Sequence, residues 1–287
     1  SEFQAANVAI FGESTEDSEV PAKYTFDGDH PHQKQLAKIT DLPISRDQFV
    51  SWMSYFLANT IMFSPAREME STNNQDINRV LNYLEINLRA DTEVRTIIRG
   101  WLHNLSRWRV SRSPENHALE MFELYLGIFN NTPEEIANTI NGGQACQAWY
   151  LTDDDGDYQL LVDMENITVG ETYIVMDQYI STCEELYDIV SGHPLVIPRV
   201  IEVIANYFLD GRPESVRLDL IEKIAKTNPT TFEEIFLAII FSEEYLLHTA
   251  RPRSFEESGL AILDSLSWNA RANSFPLDEQ TFDVMTD

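Results

Sequence analysis

Residues 113–127, SPENHALEMFELYLG, spell a helix with both of its ends. Ser113 offers a hydroxyl to the free amides of a first turn, Pro114 fits the first helical position, and Glu115 puts negative charge where the helix dipole favours it. Leu119, Phe122, Leu124 and Leu126 supply an apolar face, and Gly127 can stop the helix. The same start signal recurs at Ser45-Arg-Asp-Gln48, Thr132-Pro-Glu-Glu135, Thr231-Phe-Glu-Glu234 and Ser254-Phe-Glu-Glu257, each pairing a capping hydroxyl with Glu or Gln three residues on. A chain punctuated this often by helix starts is predicted to be mainly α.

Apolar spacing places the elements. It predicts a helix from Phe49 through Ile61 that ends near Pro65, a second over Gln75–Leu88 and a third over Thr92–Trp108. After the helix led by Ser113, the one starting at Thr132 is expected to be interrupted at Gly142-Gly143. Further helices are predicted over Ser181–Val190, 196–208 behind His193-Pro194, Ser215–Lys226, Phe232–Leu247 and from Ser254 through Leu266. Phe232–Leu247 is apolar on most sides, which predicts a central position. Residues 151–177 differ: Asp153–Asp157 reads as a turn, Tyr158–Val162 and Ile167–Tyr173 are β-prone, and Val169-Gly-Glu-Thr172 reads as a tight hairpin. The predicted fold class is a mainly α, multi-helix orthogonal bundle with a small β-hairpin insertion. An acidic, extended arm is expected over 1–44, the helical domain over 45–272 and a tail over 273–287.

The 287 residues carry 47 acids against 20 bases, a formal net charge of −27. Such a field repels nucleic acid and anionic lipid, so neither is an expected partner. No apolar run approaches the ~20 residues of a membrane span, so no transmembrane segment is expected. Cys146 and Cys183 lack CxxC spacing. They suit either one disulfide in an exported protein or two buried thiols.

Three constellations invite chemistry. Arg95, Arg99, Arg107, Arg109 and Arg112 concentrate positive charge around Trp101, Trp108 and His103. Arg99, Arg107 and Arg109 could grip an anion bidentately with Trp101 or Trp108 as a stacking plate, or else pair with Glu115, Glu120 and Glu123 on the next helix. Asp153, Asp155 and Asp157 have the alternating spacing that suits calcium, although Leu151 stands at the first-ligand position of an EF-hand register. His117 and Glu120 share a helix face, but a carboxylate-bridged metal centre would want Glu-x-x-His motifs on two helices and none occurs. The Glu-Glu pairs at 134–135, 184–185, 233–234 and 256–257 each fall in a predicted first turn, where capping and the dipole account for them. No P-loop, Rossmann glycine pattern, GxSxG elbow or HExxH occurs, so no catalytic motif is recognised.

The order of several motifs resembles a known family. Asn116–Gly127 reads as N-x-x-x-E-(L/M)-x-E-L-x-x-G; the Thr132-Pro-Glu-Glu start, Trp149, His193-Pro194, Asn206-Tyr-Phe and Phe241-Ser-Glu-Glu-Tyr245 follow it. Over about residues 95–266 this resembles the bacterial family catalogued as domain of unknown function number eighteen hundred. Leu119 replaces that family's Arg, Asn141–Trp149 replaces its threonine-glycine-tryptophan turn, and Ser242-Glu-Glu replaces Ser-Pro-Glu. The resemblance implies a mostly helical, usually exported protein, often encoded beside a sulfatase-like partner, with no established reaction. The resulting expectation is a periplasmic or extracellular, non-catalytic binding or assembly protein with a protein or acidic-glycan partner and no required cofactor, calcium being a candidate ligand. The alternative is a carbohydrate-active hydrolase with convergent carboxylates, which would show a cleft holding an acid of raised pKa opposite a second carboxylate.

Overall fold

A computed structural model describes residues 46–62, 74–111, 113–154, 157–163 and 171–248. In chain order these form α1 (Arg46–Ala58), α2 (Asn74–Arg89), α3 (Val94–Leu102), α4 (Leu105–Ser111), α5 (Pro114–Leu126) and α6 (Pro133–Ala145). The strands β1 (Trp149–Asp154), β2 (Asp157–Val162), β3 (Tyr173–Val175) and β4 (Gln178–Ile180) follow. The chain returns to helix in α7 (Cys183–Gly192), α8 (Val196–Phe208), α9 (Glu214–Lys226), α10 (Phe232–Ile240) and α11 (Glu243–His248). The protein is thus mainly helical, with two small antiparallel hairpins, β1–β2 and β3–β4. The expected arm, the Ser45 cap, the helix from Ser254 and the tail lie outside the described residues.

Local chemistry sets the helix ends. The Ser113 side chain accepts from the Asn116 amide, and Gly127 closes α5 in the left-handed region at φ 70°. Capping boxes open α6 at Thr132 with Glu135, α7 at Thr182 with Glu185, and α10 at Thr231 with Glu234.

Four elements depart from the expected pattern. The helix predicted over Thr92–Trp108 is two. Asn104, buried between them, accepts the Ser106 amide on its Oδ1 at 2.8 Å and so starts α4 afresh. The segment predicted over Phe232–Leu247 also divides. The Ser242 hydroxyl donates to the Ile239 carbonyl and accepts from the Tyr245 amide, starting α11. Phe232, Ile235, Phe236 and Ile239 of α10 are fully buried, whereas α11 buries no residue. The glycine pair does not interrupt α6. A Cβ on Gly143 would lie 2.9 Å from the Glu115 Cα, and one on Gly142 would lie 3.2 Å from Ala118 Cβ and Leu186 Cδ2. The pair is therefore the surface on which α5 and α7 approach α6. Finally, the second hairpin turns at Met176-Asp177, both at positive φ (48° and 61°), as a two-residue type I′ turn requires. No glycine marks it. Asn138 of α6 accepts the Met176 amide at 2.9 Å, holding the backbone where a non-glycine residue rarely sits.

The core has two aromatic centres. Trp52 and Phe56 of α1 pack on Phe208 of α8 and Phe236 of α10. Trp108, His117, Trp149 and Tyr187 fill the space among α4, α5, α7 and β1, and all four are buried; Trp101 of α3, also buried, stacks on Tyr83 of α2. Cys146 at the end of α6 and Cys183 at the start of α7 form a disulfide, with Cα atoms 4.5 Å apart. It closes the base of the β excursion.

Gly143→Ala tests the close approach. Helix propensity alone favours Ala by about 1 kcal/mol, but the added methyl meets backbone rather than a yielding side chain. A net loss of about 1–3 kcal/mol is expected in urea denaturation; a gain would show that α5 and α6 can separate without penalty.

Candidate binding site

The arginine stripe is distributed through the interior. Arg107 is 1% exposed and donates through Nη2 to Glu120 Oε2 at 3.1 Å. Arg109 pairs through Nε with Asp76 Oδ2 of α2 at 3.3 Å, and Asp76, fully buried, also pairs with Arg79. Arg99 meets Asp188 of α7 at 2.5 Å near the surface. Arg95 donates to the carbonyls of Ser191 and His193 at 2.7 and 2.8 Å. Arg112 lies outside the described residues. In the Arg107–Glu120 pair the acid belongs to the helix that starts after Ser113. Trp101 and Trp108 are 0% and 2% exposed, so neither ring offers a face to a ligand. Burial of these two rings corrects the expected stacking plate: the apolar faces of α3 and α4 turn them inward.

His117, fully buried, sits in a hydrogen-bond network. The Ser111 hydroxyl donates to the Arg107 carbonyl at 2.9 Å, and its oxygen lies 3.0 Å from His117 Nδ1. His117 Nε2 lies 3.3 Å from the Tyr187 hydroxyl, which accepts from Trp108 Nε1 at 2.9 Å. The imidazole also bonds to the Leu102 backbone. The Trp108 ring stacks on His117 at 4.2 Å. A serine, a histidine and a tyrosine are thus brought together, but inside the core. Burial, then the Arg107 charge, holds the His117 pKa well below the ordinary histidine value. Burial, then Arg99, lowers His103 to about 4.

The acid groups divide similarly. The Asp153 and Asp157 backbones flank the β1–β2 loop, while their side chains and Asp155 lie outside what is described. Among the described residues no group of three or more His, Cys, Asp or Glu is placed to hold a metal. Glu185 and Glu234 have lowered pKa values because backbone amides of Ser181 and Thr230 donate to them. These are capping carboxylates.

The open feature is a groove of about 410 Å3 between β4 and the end of α7. Gln178, Tyr179 and Ile180 form one wall; Glu185, Asp188, Ile189 and Gly192 form the other, and His193 and Pro194 close one end. Tyr179 is 73% exposed. His193 Nδ1 accepts the Leu195 amide at 3.2 Å, which leaves its proton on Nε2, and burial followed by the Arg95 charge lowers its pKa. A smaller depression of about 160 Å3 lies over the disulfide, between Trp149, Tyr173 and Cys183. Sequence reasoning missed the groove because its hairpin turns without glycine. The signal present was two short β-prone triplets, Tyr173-Ile-Val175 and Gln178-Tyr-Ile180, separated by two residues. No helix among the described residues is long and apolar enough to cross a membrane. No family model, no curated protein and no solved structure matches the chain.

Two outcomes follow from the interior. Arg107→Gln removes a buried guanidinium and leaves the half-buried Glu120 carboxylate without it, which should cost about 3 kcal/mol, whereas Arg99→Gln, at an exposed pair, should cost less than about 1 kcal/mol; equal losses in chemical denaturation would contradict this. As pH falls below about 6.5, unfolded histidines bind protons that buried His103 and His117 refuse. Stability should therefore decline from there, for His103 until about pH 4, by up to ~1.4 kcal/mol per pH unit for each histidine. His117→Asn should flatten that slope, and an unchanged slope would show that His117 does not titrate in this window.

Proposed function

We propose that this protein is an exported, non-catalytic binding or assembly protein whose binding face is the groove between β4 and α7. The groove carries the reading: it is open, it combines donors and acceptors with apolar Ile180 and Ile189, and one of its walls is the capped helix α7. Ser111, His117, Tyr187 and Arg107 are sunk in the core, and the groove's Glu185 is engaged as a helix cap and its Asp188 in the pair with Arg99. The Cys146–Cys183 bridge supports an oxidising, periplasmic or extracellular destination. The exported family that the motif order resembles agrees with that destination. A protein partner suits the groove better than an acidic glycan, because the arginines that would grip the glycan are engaged within the fold.

The bridge spans 37 residues, so replacing both cysteines by Ser should cost about 4 kcal/mol in the chain-entropy account. Thiol titration of the unreduced, denatured protein should find no free thiol; two free thiols would remove the support for export. Binding is tested on peptide and glycan arrays with the parent and Gly192→Tyr, which fills the groove from a site with nothing within 4 Å of its Cβ. Binding to some array member, lost in the variant, is expected. Turnover of chromogenic glycosides or esters that is abolished by Asp188→Asn would overturn the non-catalytic reading.

A further inference from the structure

The groove follows the outer edge of a β-strand. In the β3–β4 hairpin the two-residue turn makes Val175↔Gln178 the closing, hydrogen-bonded pair. Antiparallel pairs alternate, so Ile174↔Tyr179 is the non-hydrogen-bonded pair, and the amide and carbonyl of each residue point away from the other strand. Ile174 shows this directly: its carbonyl accepts from Asn141 of α6 at 2.7 Å, on the far side from β4. The outer edge of β3 is therefore satisfied by α6. By the same alternation, the Tyr179 amide and carbonyl face outward from β4, and β4 has no strand on that side among the described residues. Residues 178–180 are one wall of the groove and α7 is the other.

We propose, building on the binding reading above, that the groove takes an extended segment of a partner protein by adding it as a strand to β4. The segment alternates apolar with basic residues. A strand laid along β4 exchanges hydrogen bonds with Tyr179, and its side chains alternate between the groove and solvent. The floor under it is apolar, from Ile180 at 3% exposure and Ile189 at 8%. The α7 wall carries Glu185 and Asp188. Backbone donors hold Glu185 ionised. Arg99 and Asp188 offset each other's charge and Arg95 donates to two carbonyls, so Glu185 is the carboxylate of this wall that carries its charge toward a ligand, and His193 has a lowered pKa. Together with the chain's net charge of −27, this wall attracts lysine or arginine and repels an acidic segment. The short strand offers few backbone bonds, so contact is expected to be weak and fast-exchanging.

The test uses amide NMR of the full chain with three probes: acetyl-Lys-Val-Lys-Val-Lys-amide, the matching Glu-Val peptide, and the Lys-Val peptide with N-methylated backbone amides. The Lys-Val peptide should shift the Tyr179 and Gly192 amides and slow hydrogen exchange at Tyr179. The Glu-Val and N-methylated peptides should bind more than tenfold more weakly. Gly192→Tyr, with unchanged melting, should lose the response. So should Tyr179→Pro, which removes an outward amide at an edge position where proline is tolerated. Failure of the Lys-Val peptide to perturb Tyr179 at millimolar concentration overturns the proposal, as does equal binding by the Glu-Val peptide. Slow exchange at Tyr179 in the free chain, or its dependence on protein concentration, would assign the edge to the chain's own segments or to a second copy and overturn it likewise. A saccharide that shifts groove residues and leaves the Tyr179 amide untouched would refute strand addition while leaving the broader binding reading in place.

Discussion

The relay from Trp108 through Tyr187 and His117 to Ser111 fixes the centre of this protein. It joins α4, α5 and α7, and the Arg107–Glu120 and Asn116–Ser111 bonds tie α4 to α5 beside it. The Ser111 hydroxyl donates to the Arg107 carbonyl at one end, and the indole proton is donated to Tyr187 at the other. A buried polar chain of this kind tolerates little error, because one misplaced proton leaves a donor facing a donor in a low dielectric. Helix packing around it is correspondingly exacting. The glycines of α6 admit α5 and α7 at close range, and the disulfide fastens α6 to α7 beside the same cluster.

Charge is organised around that centre in two layers. Inside, arginines neutralise acids that the packing would otherwise strand, as Asp76 receives Arg79 and Arg109 and Glu120 receives Arg107. Such pairs add little net stability over apolar substitutes, but removal of one member leaves an uncompensated charge. Outside, acids predominate; among the described residues Glu135, Glu185 and Glu234 cap helices and others stand in first turns. Part of the strongly acidic composition is therefore local helix chemistry, and the remainder is a field that selects cationic partners at the surface. The groove beside α7 lies where this field meets outward backbone groups of β4. Its recognition chemistry arises from the fold rather than from a local motif.

The sequence was informative wherever the deciding atoms are within about four residues of each other. Ser113 and Gly127 bound α5, and Thr132 and Thr231 open α6 and α10, because a hydroxyl and a turn of amides suffice for a cap. Periodicity placed α2, α8 and α9 to within a residue or so, and buried Ile239 followed from the apolar run that contains it. The mainly helical class with a small β excursion was legible for the same reason.

Tertiary structure decided what local rules left open. Gly142-Gly143 reads as a break in isolation and becomes a packing surface only because Glu115 and Leu186 lie against it. Asn104 and Ser242 divide helices whose apolar spacing runs on, since a side-chain cap competes with the backbone ladder wherever the chain can bend into the core. Met176 can turn a hairpin without glycine because Asn138, 38 residues earlier, holds its amide. The partners shown for Arg95, Arg99, Arg107 and Arg109 lie 13 to 98 residues away, on elements whose mutual placement no spacing encodes. Charge and cap chemistry were thus set by the sequence itself. Which charges are buried, whether the two cysteines meet, and where a strand edge remains open to a ligand were set by how the helices pack, because each depends on groups brought together only in three dimensions.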